Sequence, residues 1–116
     1  LNYLKNLDQN VNYILISDYQ IYNAILNKKD FSPVKYWFEN ATYPPKNHRL
    51  REKFEIFFKS KITNNKVSLI IIDNNAKFKS EELFEFSWLY NCLEKRNNFA
   101  QDEIIDVFLI KNNCIK

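Results

Sequence analysis

The 116-residue chain contains no glycine and no methionine, a single histidine, two cysteines and three prolines. Without glycine there is no Walker-type phosphate loop and no dinucleotide-binding turn, because both need a backbone that approaches phosphate where a Cβ would intrude. One histidine cannot build a histidine metal cluster. With no nucleophile elbow beside it, no Ser-His-Asp or Cys-His arrangement is expected, and no resident metal or cofactor. The chain opens Leu1-Asn2-Tyr3 instead of with methionine, so a processed product or a domain cut from a larger protein is expected. Long apolar runs are missing too. Stretches such as Leu69–Ile72 have strand length, far short of the roughly 18–20 residues that cross a bilayer. No signal-peptide pattern is visible.

Charge of one sign is also scarce. Seventeen Lys and Arg against fourteen Asp and Glu leave a formal charge of +3, well below the footprint of a dedicated nucleic-acid binder, so no nucleic-acid partner is expected. The distribution says more than the total. Residues 28–61 carry nine basic and four acidic side chains, whereas residues 73–106 carry four basic and eight acidic. Two differently charged surfaces follow, either functional or simply solvated. What the chain does have is apolar and aromatic material, 46% and 16% of its residues. That is enough for one core and one domain spanning residues 1–116. Asparagine is abundant, at 17 residues, but dispersed among apolar runs, which reads as coding bias and not as a low-complexity tract.

Periodicity sets the expected order of elements. Val11–Ile16 is a β-branched and aromatic run of strand type. Ser17 and Gln20 then stand at capping-box spacing before Ile21, Ala24 and Ile25, which predicts a strand feeding a helix. Residues 27–47 have no clear period but hold Phe31, Tyr36, Trp37, Phe38 and Tyr43, and read as a long loop docked on the core with a short helix near Pro33–Phe38. Leu50, Phe54, Phe57 and Phe58 predict a helix from about His48 to Lys61 with Asn47 as N-cap. Val67–Ile72 reads as a buried strand. Ser80-Glu81-Glu82 opens a third helix with Leu83, Phe86, Tyr90 and Leu93 facing inward. Ile104–Ile110 is a further strand. The expectation is an α/β fold in the order β-α-loop-α-β-α-β: a small sheet of three or four strands, at least partly parallel, with about three helices packed on it. The first two strands are expected parallel through a right-handed crossover; the direction of the last strand stays open.

Two groups of residues can carry chemistry. Ligands of open α/β sheets gather outside the carboxyl ends of the strands, and there Ser17, Asp18, Asp73 and Asn74 form a polar cluster. Two carboxylates on neighbouring strand ends can hold Mg²⁺. The same residues are equally the ordinary punctuation of strand-to-helix joints. The second group is Lys46, His48, Arg49 and Arg51, at the start of the second helix. Cations there oppose the helix dipole, and a bound phosphate relieves that conflict. The plain alternative is a solvated basic turn.

The two cysteines admit two readings. If residues 80–96 form one helix, Cys92 and Cys114 lie on the order of 30 Å apart and cannot bond. If the helix stops near Trp88–Asn91, Cys92-Leu93 begins a strand that pairs back on Ile104–Ile110. Arg96 opposite Ile110 would then place Cys92 opposite Cys114. A disulfide in that arrangement contributes roughly 3 kcal/mol.

The segments Ile16–Gln20, Phe31–Trp37, Tyr43-Pro44, Phe57-Phe58 and Leu69–Asp73 together resemble a soluble C-terminal domain of bacterial polytopic membrane proteins. Those proteins are similar to GT-C type glycosyltransferases, such as protein mannosyltransferases and aminoarabinose transferases. The resemblance spans most of residues 10–114 and rests on loose motifs. It implies a non-catalytic, extracytoplasmic accessory domain on the periplasmic side of the inner membrane. Its partner would be the transmembrane portion of the same polypeptide, with a contribution to lipid-phosphate donor or acceptor binding. No catalytic residue of that family maps onto this chain. A Cys92–Cys114 disulfide fits such a location. Two other readings stand beside it: a stand-alone cytoplasmic α/β protein with a weak phosphate or Mg²⁺ site at Asp18 and Asp73, and an interaction module using Trp37, Tyr43 and the basic helix start.

Overall fold

The computed structural model describes residues 10–17, 31–33, 43–73, 78–96 and 105–115. Among these residues are strands β1 (Tyr13–Ile16), β2 (Leu69–Asp73), β3 (Leu93–Arg96) and β4 (Ile105–Ile110), and helices α1 (Arg51–Asn64), α2 (Ser80–Leu83) and α3 (Ser87–Tyr90). The strands form one mixed sheet in the order β1-β2-β4-β3. β1 and β2 run parallel, from Tyr13 beside Leu69 to Ile16 beside Ile72. β4 is antiparallel to both its neighbours, β2 and β3, which gives the last strand its direction. The expected helix after Ser17, and nearly all of the one near Pro33–Phe38, lie outside the described residues.

Alternation along the strands divides the apolar side chains between two faces. Ile14, Ile16, Ile70, Ile72, Phe108 and Ile110 turn to one side and meet Phe54, Phe58 and Ile62 of α1, together with Phe78, Leu83, Phe86 and Leu89. Tyr13, Leu15, Leu69, Ile71 and Val107 form a second cluster on the opposite face. Every residue of β1 and β2 is buried, which is why both read as unbroken apolar runs instead of alternating ones. Full burial of such side chains stabilises by about 1.5–3 kcal/mol each. Phe58 lies at the centre of the aromatic packing, with ring centroids 5.1 Å from Phe86 and 5.4 Å from Trp88, both edge-on.

Three expectations need correction. α1 begins at Arg51, not His48, and its N-cap is Leu50, which makes no side-chain cap hydrogen bond. The preceding residues are spent on turns: the His48 amide donates to the Pro45 carbonyl and the Arg51 amide to the His48 carbonyl, each at 3.0 Å. The buried stripe of α1 is Arg51, Phe54, Phe58 and Ile62, while Leu50 and Phe57 are exposed. Second, the helix opening at Ser80 is two short pieces. The break between Leu83 and Ser87 resets the helical phase, so Leu89 turns inward and Tyr90 outward. Third, Tyr43 is no surface recognition residue. It is 4% exposed, stacked on Phe54 at 5.8 Å and edge-on to Phe78.

Cys92 and Cys114 are disulfide-bonded, with Cα atoms 5.6 Å apart. The bond does not arise from the expected register. Leu93 pairs with Ile110 and Arg96 with Val107, so the residue opposite Cys92 is Lys111, whose amide donates to the Cys92 carbonyl at 2.9 Å. Cys114 reaches Cys92 because the chain curls back after β4 through Asn113, whose φ is 60°, with the Cys114 amide aimed at the Lys111 carbonyl. Asparagine tolerates this left-handed conformation better than most residues.

Candidate functional site

The fold separates the two groups of candidate residues. Because β1 and β2 are parallel, their carboxyl ends lie side by side, and the Ser17 hydroxyl donates to Asp73 Oδ2 at 3.2 Å. Both residues are almost fully buried, at 1% and 8% exposure. Asp18 and Asn74 lie outside the described residues. The Ser17–Asp73 contact joins the two strand ends. Among the described residues no group of three His, Cys, Asp or Glu side chains is placed to hold a metal ion.

The basic group lies at the start of α1 and lines a cleft that includes neither Ser17 nor Asp73. The run Tyr43-Pro44-Pro45 leads into consecutive turns over residues 46–50, since proline fixes φ and cannot donate to a ladder. These turns present Lys46, Asn47, His48 and Arg49 to solvent. With the first turns of α1 they border an open cleft of about 500 Å³, lined also by Glu52, Glu55, Ile56, Lys59 and Trp88. His48 is oriented by its own turn: the Leu50 amide donates to Nδ1 at 3.1 Å, which leaves Nε2 to carry the proton of the neutral ring. Lys59, two turns along α1, was not among the expected site residues. Helical geometry brings it to the cleft, as it does Glu52 and Ile56.

Arg51 does not stand with its basic neighbours. It is 4% exposed and its guanidinium is engaged from three directions. Nε–H donates to Glu55 Oε2 at 3.0 Å, Nη1 donates to the Pro44 carbonyl at 3.1 Å, and the group lies 4.3 Å from the centre of the Phe86 ring. The other oxygen of Glu55 accepts the Trp88 indole N–H at 3.0 Å. Pro44, Arg51, Glu55 and Trp88 thus form a continuous polar chain that ties the turn before α1 to α3, and Arg51, Glu55 and Trp88 line the cleft. The i, i+4 spacing of Arg51 and Glu55 was visible in sequence; the participation of Trp88, 33 residues further on, was not.

No protein-family model, curated protein or solved structure matches the chain. Cationic Lys46, Arg49 and Lys59 converge with His48 on one open cleft. One exposed carboxylate, Glu52, opposes them; Glu55 is already neutralised by Arg51. This arrangement suits a small anion with several acceptor oxygens, held by charge-assisted hydrogen bonds. Among the described residues no helix is long and apolar enough to cross a membrane.

Proposed function

We propose that this domain is a non-catalytic accessory domain of a membrane-bound glycosyltransferase-like protein, placed on the extracytoplasmic side, and that its cleft takes the phosphate of a lipid-phosphate donor, acceptor or headgroup. The observation that carries the anion site is the convergence of Lys46, His48, Arg49 and Lys59 on one cleft in which Arg51 and Glu55 compensate each other. An anion entering there meets cations on the rim and no uncompensated carboxylate beneath it. The Cys92–Cys114 disulfide supports the compartment, since such bonds persist outside the reducing cytoplasm. The partner implied by this reading is the transmembrane portion of the same polypeptide.

Amide NMR titration tests the anion site, with inorganic phosphate and, separately, with a water-soluble short-chain prenyl phosphate. Shifts are expected to concentrate at residues 46–52 and to shrink with added salt. Replacing Lys46→Gln and Arg49→Gln together should weaken binding by about tenfold, the effect of losing two partly exposed charge contacts. Equal affinity in the double variant would overturn the reading.

A further inference from the structure

The outward face of α1 carries apolar side chains that the core does not use. Leu50, Ile56 and Phe57 are 45%, 62% and 46% exposed. At 100° per residue, Ile56 projects opposite the Phe54, Phe58 and Ile62 stripe that packs on the sheet, and Phe57 projects from its flank. Single exposed apolar residues need no explanation. Three on one helix and its cap, with Lys53 between Ile56 and Phe57 and Lys61 beside Phe57, form a pattern. Lys61 extends along the Phe57 ring, its Nζ 5.5 Å from the ring centre. Among the described residues of α1, Glu52 is the exposed carboxylate, as Glu55 is turned in toward Arg51.

We propose that this face of α1 seats the domain on an anionic lipid surface. Charge complementarity selects the occupant. Protein interfaces are depleted in lysine and carry their charge at the rim. Here lysines stand between the apolar side chains. A bilayer interface accepts that mixture, since lysine stems lie along apolar groups while the ammonium reaches the headgroups. Leu50, Ile56 and Phe57 would enter the boundary between headgroups and acyl chains, and Lys53 and Lys61 would meet the lipid phosphates. Ile56 and Lys59 also border the cleft, so docking would bring the cleft to headgroup level. The inference deepens the anion-site reading but is drawn from different side chains.

Co-sedimentation of the oxidised chain with phosphatidylcholine vesicles, and with vesicles in which half of that lipid is replaced by phosphatidylglycerol, decides it. Binding to the anionic vesicles only, diminishing with added salt, is expected. Ile56→Ser with Phe57→Ser should lower the partition coefficient at least tenfold, and Lys53→Gln with Lys61→Gln by about tenfold. Unchanged far-ultraviolet circular dichroism would confirm that these surface variants are folded. No preference for anionic vesicles, or equal binding by the Ile56/Phe57 variant, would overturn the proposal. Concentration-dependent self-association that the same variant abolishes, without vesicle binding, would overturn it in favour of a second copy of the chain. The Lys46/Arg49 variant separates the two readings: vesicle binding that survives while free phosphate binding is lost supports docking through α1 independently of the cleft.

Discussion

Arg51 is where a surface residue by composition becomes part of the core. Its guanidinium satisfies the Pro44 carbonyl and one oxygen of Glu55, and lies against the Phe86 ring. A buried cation is tolerated only when its donors are used and an opposite charge is close. Removing the guanidinium while keeping the stem, in Arg51→Met, leaves Glu55 partly buried beside Trp88 without its partner. A loss of about 2–3 kcal/mol is expected in urea unfolding. Glu55→Gln should cost at least as much, because its amide can still accept the Trp88 indole hydrogen bond but leaves the buried guanidinium without its counter-charge. A double-mutant cycle between the two positions would show coupling, and additive effects would mean that the pair is not a unit. The same residue explains a limit of sequence reading. Arg51 sits among Lys46, His48 and Arg49 in the chain, and nothing local distinguishes it. What buries it are Pro44 and Glu55 on either side and Phe86 on a separate element.

At the level of elements, the absence of glycine has a measurable cost. α1 ends on Asn65, and Lys66 follows with φ of 51°. The Val67 amide then closes back onto the Ile62 carbonyl at 3.0 Å. This is the position that glycine usually occupies after a helix, and a side chain with a Cβ pays about 1 kcal/mol or more there. Lys66→Gly is expected to stabilise the domain by about 0.5–1 kcal/mol, read as a higher denaturation midpoint with an unchanged slope. The strands were legible because β-branched runs buried on both faces have few other uses; β1, β2 and β4 lie within one or two residues of their expected bounds. Helix phase was less legible. Leu50 and Phe57 match the period of Phe54 and Phe58, but Ile62 and the anchored Arg51 define a stripe rotated from theirs. The basic turn bordering the cleft could be read from the chain. Trp88 could not, because its role depends on how α1 and α3 pack.

For the molecule as a whole, the disulfide closes a loop of 22 residues that contains β3 and β4. Cross-linking a loop of that size restricts the unfolded chain and stabilises the fold by about 3 kcal/mol. Reduction should therefore lower the melting temperature by on the order of 10 °C, with Cys92→Ser/Cys114→Ser behaving like the reduced protein. A shift of only a degree or two would show that the curl through Asn113 holds without the bond. β4 is an interior strand, hydrogen-bonded to β2 on one side and β3 on the other, yet it is the last strand in chain order. During synthesis the β1–β2 pair emerges long before the strand that covers the free edge of β2. The sheet cannot close until Ile105–Ile110 is available, and Cys114 follows that strand directly. Oxidation of Cys114 onto Cys92 thus acts as a timestamp, recording that the interior strand has arrived.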